Sequence, residues 1–294
     1  MIFRRKMKFH VQTAEMFVPD ETPIPQALAR TTHLAVGAHP DDVEILAIHG
    51  ILACFRRADR WFTSVVMTDG KGAPRRGPYA DTNDAEMQAI RRREQKKAAV
   101  VGAYGAQVLL DYPSAVVKNP EIPAPVEDLE ALFAATHPEI VYTHNLADKH
   151  DTHVSTALRV IAALRRLPAA VRPTHVYGCE VWRDLDWLVD EDKIALDCSS
   201  HEHLQAALLA VFDSQISGGK RYDLAVMGRR RAHATYHASH EVDAATHIVY
   251  AMDLTPLVVD PDLEIQVYVQ AHLTRFAEDV AARGSMTWAK FHEG

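Results

Sequence analysis

His33-Leu-Ala-Val-Gly-Ala38 is a short apolar run, His39-Pro-Asp-Asp42 follows it, and Glu44-Ile-Leu-Ala-Ile-His-Gly-Ile-Leu-Ala-Cys-Phe55 then repeats apolar residues at helical spacing up to Arg56-Arg57. The order is strand, polar turn, helix. Moving outward, the same unit recurs. Phe62-Thr-Ser-Val-Val-Met67 reads as a second strand, followed by a polar loop that contains Asp69, Gly70, Arg75 and Arg76. Thr82-Asn-Asp84 offers caps to a helix reaching Val101, with Gly102 in the C′ position. Strands are expected over 107–110, 139–143 and 175–181, with helices over 126–136 and 153–167, the last stopped by Pro168. Strands separated by helices of this length are parallel, because a parallel return needs a crossover. The expected fold is α/β: a Rossmann-like, open, mostly parallel sheet with helices on both faces.

The flanks differ in texture. Residues 1–30 carry Pro19, Pro23 and Pro25 with little periodicity, an irregular lead-in that packs on the domain instead of founding it. Residues 31–190 form the core, and 191–294 a C-terminal α+β elaboration on the same domain. In that elaboration Ser199-Ser-His-Glu202 reads as a capping box for a helix to Ile216 that Gly218-Gly219 stops. Strands over 247–252 and 263–268 and a helix over 271–282 complete it.

Composition narrows the class. The 294 residues are 48% apolar and 24% charged, as in ordinary soluble globular proteins. With 32 Lys+Arg against 39 Asp+Glu the net charge is −7, which argues against a nucleic-acid partner. No run approaches a membrane span, and the basic start lacks the apolar stretch of a signal peptide, so a cytoplasmic protein is expected. Cys54, Cys179 and Cys198 form no CxxC pair, which fits a reducing compartment. Seventeen histidines suit imidazole-based metal or proton chemistry.

Two clusters carry that chemistry. His39-Pro-Asp41-Asp42 stands at a strand's carboxyl end, the edge at which ligands bind in such sheets. A helix cap accounts for one aspartate and the helix dipole for another; the same group also fits a cation site with a separate proton acceptor. Thr143-His-Asn145-Leu-Ala-Asp148-Lys-His150-Asp151-Thr-His153 follows another strand. Taken alone, its HxxH is a pair of partly exposed histidines at a helix start. Together the clusters can supply three N and O donors to an open zinc site.

Ala38-His-Pro-Asp-Asp-Val-Glu44, followed by Thr143-His-Asn145 and His150-Asp-Thr-His153, resembles the PIG-L / LmbE-like family of zinc-dependent de-N-acetylases acting on N-acetylglucosamine conjugates. The resemblance extends over about residues 33–181. It implies His39, Asp42 and His153 as metal ligands, Asp41 as general base, and His150 as oxyanion stabiliser or acid. It also implies Asp151 as the carboxylate that orients the histidines, and Arg91, in Arg91-Arg-Arg-Glu94, as a substrate contact. A basic, solvated helix face accounts for Arg91 equally simply. The implied cofactor is Zn2+, with Fe2+, Ni2+ or Co2+ as other divalent options. The implied reaction removes an N-acetyl group from a small-molecule amino-sugar conjugate. A family amidase acting on a thiol-sugar or antibiotic-type conjugate, a non-catalytic sugar- or metal-binding protein of the same fold, and a homo-oligomeric state remain open.

Other singled-out residues read as structural. His49 is expected to be a satisfied interior histidine, and the family's paired glycines are here reduced to Gly50. His233, His237 and His240 fall on one face if their segment is helical, and a polar surface row is the simpler reading. Trp61, Trp182 and Trp187 could offer sugar-stacking surfaces, with packing as the default. Glu180 is a weak pocket candidate, and Asp69-Gly70 reads as a tight turn or a pocket loop.

Overall fold

The computed structural model describes residues 7–292; Met1–Lys6 of the expected lead-in lie outside them. In chain order the elements are β1 (Glu15–Phe17), α1 (Ile24–Ala29), β2 (His33–Gly37), α2 (Asp42–Leu46), α3 (Ile48–Cys54), β3 (Phe62–Thr68), α4 (Asp84–Val101) and β4 (Ala106–Tyr112). They continue with α5 (Ser114–Lys118), α6 (Ala124–Thr136), β5 (Ile140–His144), α7 (Asp151–Arg166), β6 (His175–Cys179) and β7 (Ile194–Asp197). The last are α8 (Glu202–Ala210), α9 (Asp213–Ile216), α10 (Tyr222–Tyr236), β8 (Ile248–Asp253), α11 (Thr255–Val259) and α12 (Ile265–His292).

One eight-stranded sheet runs in the order β1-β4-β3-β2-β5-β6-β8-β7. The five strands from β4 to β6 are parallel, while β1, β8 and β7 join antiparallel. This is the expected mostly parallel α/β sheet, and the strand order reverses between β2 and its neighbour β5. Every residue of β2 and β3 is buried, as strands covered on both faces must be. Alternation assigns the faces. Leu34 and Val36 join Leu132, Phe133, Ile161 and Leu164 of α6 and α7, whereas Ala35 joins Ile51, Ala98 and Leu208 of α3, α4 and α8. Each large apolar side chain so enclosed stabilises the fold by roughly 1.5–3 kcal/mol relative to exposure.

Several local expectations are corrected. The lead-in is less irregular than expected, since β1 pairs with β4 along Glu15↔Leu109 and α1 follows it. The 44–55 helix is two helices, parted at Ala47 with φ −113°. Asn83 closes a full capping box with Glu86, but the left-handed residue after α4 is Ala103, and Gly102 stays right-handed. Ser199 caps no helix: His201 occupies the N-cap position, and the Ser199 hydroxyl donates to Asp197 and accepts the Thr246 N–H. Residues 263–268 are not a strand. Ile265, Tyr268 and Val269 pack on the core while Val267 is 61% exposed, which is the helical period of α12. β7 was not foreseen.

Candidate active site

The two motifs meet because β2 and β5 are neighbours in register, His33 opposite Ile140. The chain leaves β2 in a tight turn in which the Asp42 N–H donates to the His39 carbonyl, and the Asp42 carboxylate accepts the His39 N–H at 2.7 Å. Beyond β5, Asp148 accepts the His150 N–H at 3.0 Å, and α7 begins with His150 as its N-cap. His153 lies one turn into the helix, fully buried.

Three donor atoms converge. His39 Nδ1 is 3.1 Å from Asp42 Oδ2 and 3.2 Å from His153 Nε2, and His153 Nε2 is 3.4 Å from Asp42 Oδ2. Donors about 2.0–2.2 Å from one tetrahedral ion stand about 3.3 Å apart, so this triangle fits a divalent metal. His144 also approaches Asp42, at 3.4 Å, but its Nε2 already accepts the Ala38 N–H at 2.8 Å. It therefore holds the backbone beside His39, with its ring stacked on His153 at 4.0 Å between centroids. His150 brings a ring nitrogen within 4.8 Å of those of His39 and His153. Burial drives Asp42 upward, yet the adjoining His153 and His144 rings and the hydrogen bond from His39 outweigh it, and the carboxyl sits well below its usual range.

Asp41 stands beside this triangle, not in it. Its backbone has φ +93°, and its N–H donates to the buried Gln95 side chain at 3.1 Å. Arg91 donates to the Pro40 carbonyl and lies 3.3 Å from the Asp41 carboxylate. Burial raises Asp41 to about 6 against the pull of Arg91, with Asp42 adding to the rise. Arg91 lines the cleft, but its donors also face Ser214 at 3.2 Å and Glu94 at 3.5 Å, so this buried guanidinium chiefly fixes the surroundings of Asp41. Glu94 in turn accepts the N–H and hydroxyl of Ser214, binding α4 to α9.

His150 accepts the Thr152 N–H at Nδ1, 3.3 Å away, so its neutral ring carries the proton on Nε2. Burial, with His153 and His39 nearby, lowers its pKa. Asp151 is exposed at the start of α7, and the carboxylate facing His153 Nδ1 is that of Asp148, at 3.5 Å. Asp148 also accepts the Trp182 N–H at 3.0 Å. An aspartate that caps the turn two residues before the HxxH was the available signal.

His39, Asp41, Asp42, Arg91 and His150 floor a cleft of about 390 Å³ walled by Gly70, Trp182, Tyr222, Lys118 and Lys220. Trp61 instead lies under Arg30, and Trp187 packs against Phe276. Glu180 is not in the cleft; it accepts from Leu185 and Tyr250 backbone N–H groups and meets His233 at 3.0 Å. His233 is buried, His237 contacts the Tyr250 hydroxyl at 3.3 Å, and His240 lies beyond α10, so the three form no row. His49 meets the Tyr142 hydroxyl at 2.8 Å, the satisfied histidine expected. All three cysteines are buried and free.

Residues 34–164 match the family described as PIG-L: GlcNAc-PI de-N-acetylase, and the chain carries a domain of that family. Among solved structures, N,N'-diacetylchitobiose deacetylase from Pyrococcus horikoshii is similar at 16% identity and TM-score 0.61, covering 81% of this chain and 88% of that one. The 4-carboxy-2-hydroxymuconate hydratase of Pseudomonas putida is similar at 18% identity and TM-score 0.57, covering 76% and 96%. A teicoplanin deacetylase, described in its zinc inhibited form, is similar at 14% identity and TM-score 0.54, covering 76% and 97%. At these identities the likeness is one of fold, and it includes both hydrolytic and hydrating enzymes. No curated protein matches the chain. Among the described residues, no helix is long and apolar enough to cross a membrane.

Proposed function

We propose that the protein is a metal-dependent N-deacetylase that converts the acetamide of a small-molecule amino-sugar conjugate to acetate and a free amine. The observation that carries this reading is the convergence, on one cleft floor, of the His39–Asp42–His153 donor triangle with a separately held carboxylate and imidazole. A divalent metal in that triangle, zinc by the donor set and with Fe2+, Ni2+ or Co2+ compatible, supplies the Lewis acidity that polarises an amide carbonyl and acidifies water.

The remaining roles belong to the chain. Asp41, buried and held by Arg91 and Gln95, takes the proton of the attacking water and holds it for the departing amine. His150 presents an Nε2–H donor to the oxygen on which charge develops. Asp148, 3.5 Å from His153 Nδ1, is the carboxylate placed to orient that ring, the part expected of Asp151.

Metal analysis and assay of N-acetylglucosamine conjugates test the reading, with acetate and primary amine expected in equal amounts. Asp41→Asn should lower kcat by at least about 100-fold while bound metal is retained. His39→Ala should lose the metal itself. Undiminished turnover in Asp41→Asn would remove Asp41 from the chemistry.

A further inference from the structure

The charged groups of the cleft are unevenly distributed. Its two carboxylates, Asp41 and Asp42, lie on the floor, one beside Arg91 and the other among histidines. The other charged walls are Lys118 and Lys220, both exposed, and among the described residues neither has a carboxylate within ion-pair distance. In a chain of net charge −7, two uncompensated ammonium groups facing one cleft mark a positive rim.

The Lys220 side of that rim is built into the fold. A Cβ on Gly218 would lie 2.1 Å from the Ser214 carbonyl oxygen, and Gly219 has φ +108°, so the elbow between α9 and α10 requires both glycines. The Lys220 N–H returns to the Gln215 carbonyl at 2.9 Å, and its ammonium stands 4.9 Å over the Trp182 ring. Tyr222 meets Trp182 edge to face, 6.0 Å between centroids. Trp182, Lys220 and Tyr222 all lie outside residues 34–164, so this wall belongs to the part of the chain that the shared domain does not include.

We infer that Trp182, Tyr222, Lys220 and Lys118 form a subsite for the part of the substrate beyond the acetamide, and that this part carries an anionic substituent, phosphate or carboxylate. The indole and phenol rings offer an apolar face to a saturated ring, and the ammonium groups receive the negative charge. The inference rests on the deacetylase reading, which supplies the orientation of the substrate: acetamide on the floor, substituent at the rim.

The test compares three N-acetylglucosamine derivatives: the methyl glycoside, the 1-phosphate and a carboxymethyl glycoside. For the metal-loaded protein, kcat/KM should favour a charged compound at least tenfold over the methyl glycoside, and added salt should shrink the preference. The charged compound that is favoured identifies phosphate or carboxylate as the source. Lys118→Met and Lys220→Met should each lower the charged-to-neutral ratio about tenfold, mainly through KM, and Lys220→Arg should restore much of it. Acetate release without charge preference, or an equal loss on charged and neutral compounds in the lysine variants, overturns the subsite and leaves the deacetylase reading standing. Titration calorimetry with the same compounds gives the converse separation. Tighter binding of the charged compounds without acetate release supports the subsite and overturns the deacetylase reading; no binding preference and no release overturns both.

Discussion

Asp41 combines two demands on one residue. As a non-glycine at φ +93° it holds a left-handed backbone that costs of order 1–3 kcal/mol, and Gln95 and Arg91 compensate through the hydrogen bonds around it. Relief of that strain should be measurable separately from loss of the carboxylate. With metal chelated, Asp41→Gly is expected to unfold at a free energy about 1 kcal/mol above Asp41→Ala, although both lack the carboxylate. Equal stability in denaturant titrations would mean that the backbone there is unstrained. At this scale the sequence was informative wherever chemistry was concentrated in a motif: His39, Asp41, Asp42, His150 and His153 all fall at one site. It was silent where an assignment depends on direction. Asp148 and Asp151 are both carboxylates next to the HxxH, and only the turn that aims Asp148 at His153 distinguishes them. Trp182 could not be separated from Trp61 and Trp187 before the loop after β6 was placed.

Among the elements, α3 shows how closely helix and sheet approach. A Cβ on Gly50 would lie 2.6 Å from the Tyr142 ring, which is itself held by His49. The departure from paired glycines therefore keeps the one position where a side chain has no room. Gly50→Ala should destabilise the fold by about 1–3 kcal/mol through overpacking, outweighing the ~1 kcal/mol that alanine gains in helix propensity. An unchanged midpoint in urea would show that Tyr142 can move aside. Elements were readable where period and caps agreed, as in β3 and α4 with its Asn83–Glu86 box. They were misread where apolar residues fit two periods: Leu263, Ile265 and Val267 alternate as in a strand, yet Ile265, Tyr268 and Val269 face the core as a helix. Ser199-Ser-His-Glu202 had the letters of a capping box, but the Ser199 hydroxyl is engaged by the strand end and by Thr246.

For the molecule as a whole, the C-terminal third is part of the same structure. Arg230 of α10, buried, donates to the Glu44 and Ile45 carbonyls at 2.9 and 3.1 Å, and β8 and β7 extend the sheet beyond β6. Calorimetry should accordingly show one unfolding transition; two separated transitions would mean that residues 191–294 fold apart. Acid should weaken this single unit through His33, which burial lowers to about 4 from its ordinary 6.5, with His49 and Arg60 adding. Between those values the unfolded chain binds the proton more readily, so the contribution is full above 6.5 and is lost as pH falls through 4. The span is worth about 3 kcal/mol, and His33→Gln should flatten the acid limb of stability against pH. An unchanged slope would place that sensitivity elsewhere. The alternation of strands and helices made the sheet's centre readable, but not its antiparallel margins, because β1 and β7 are too short to show a period. The strand order also has a consequence in time. His39 and His153 touch across 114 residues of chain, and a growing polypeptide presents the first long before the second. The imidazole pair forms only when β5 closes against β2, a slow, non-local event in the assembly of the sheet. A cation held by that pair must arrive after the sheet's centre has formed, and once bound it opposes reopening of the β2–β5 seam, by about 4 kcal/mol at a thousandfold excess over its Kd.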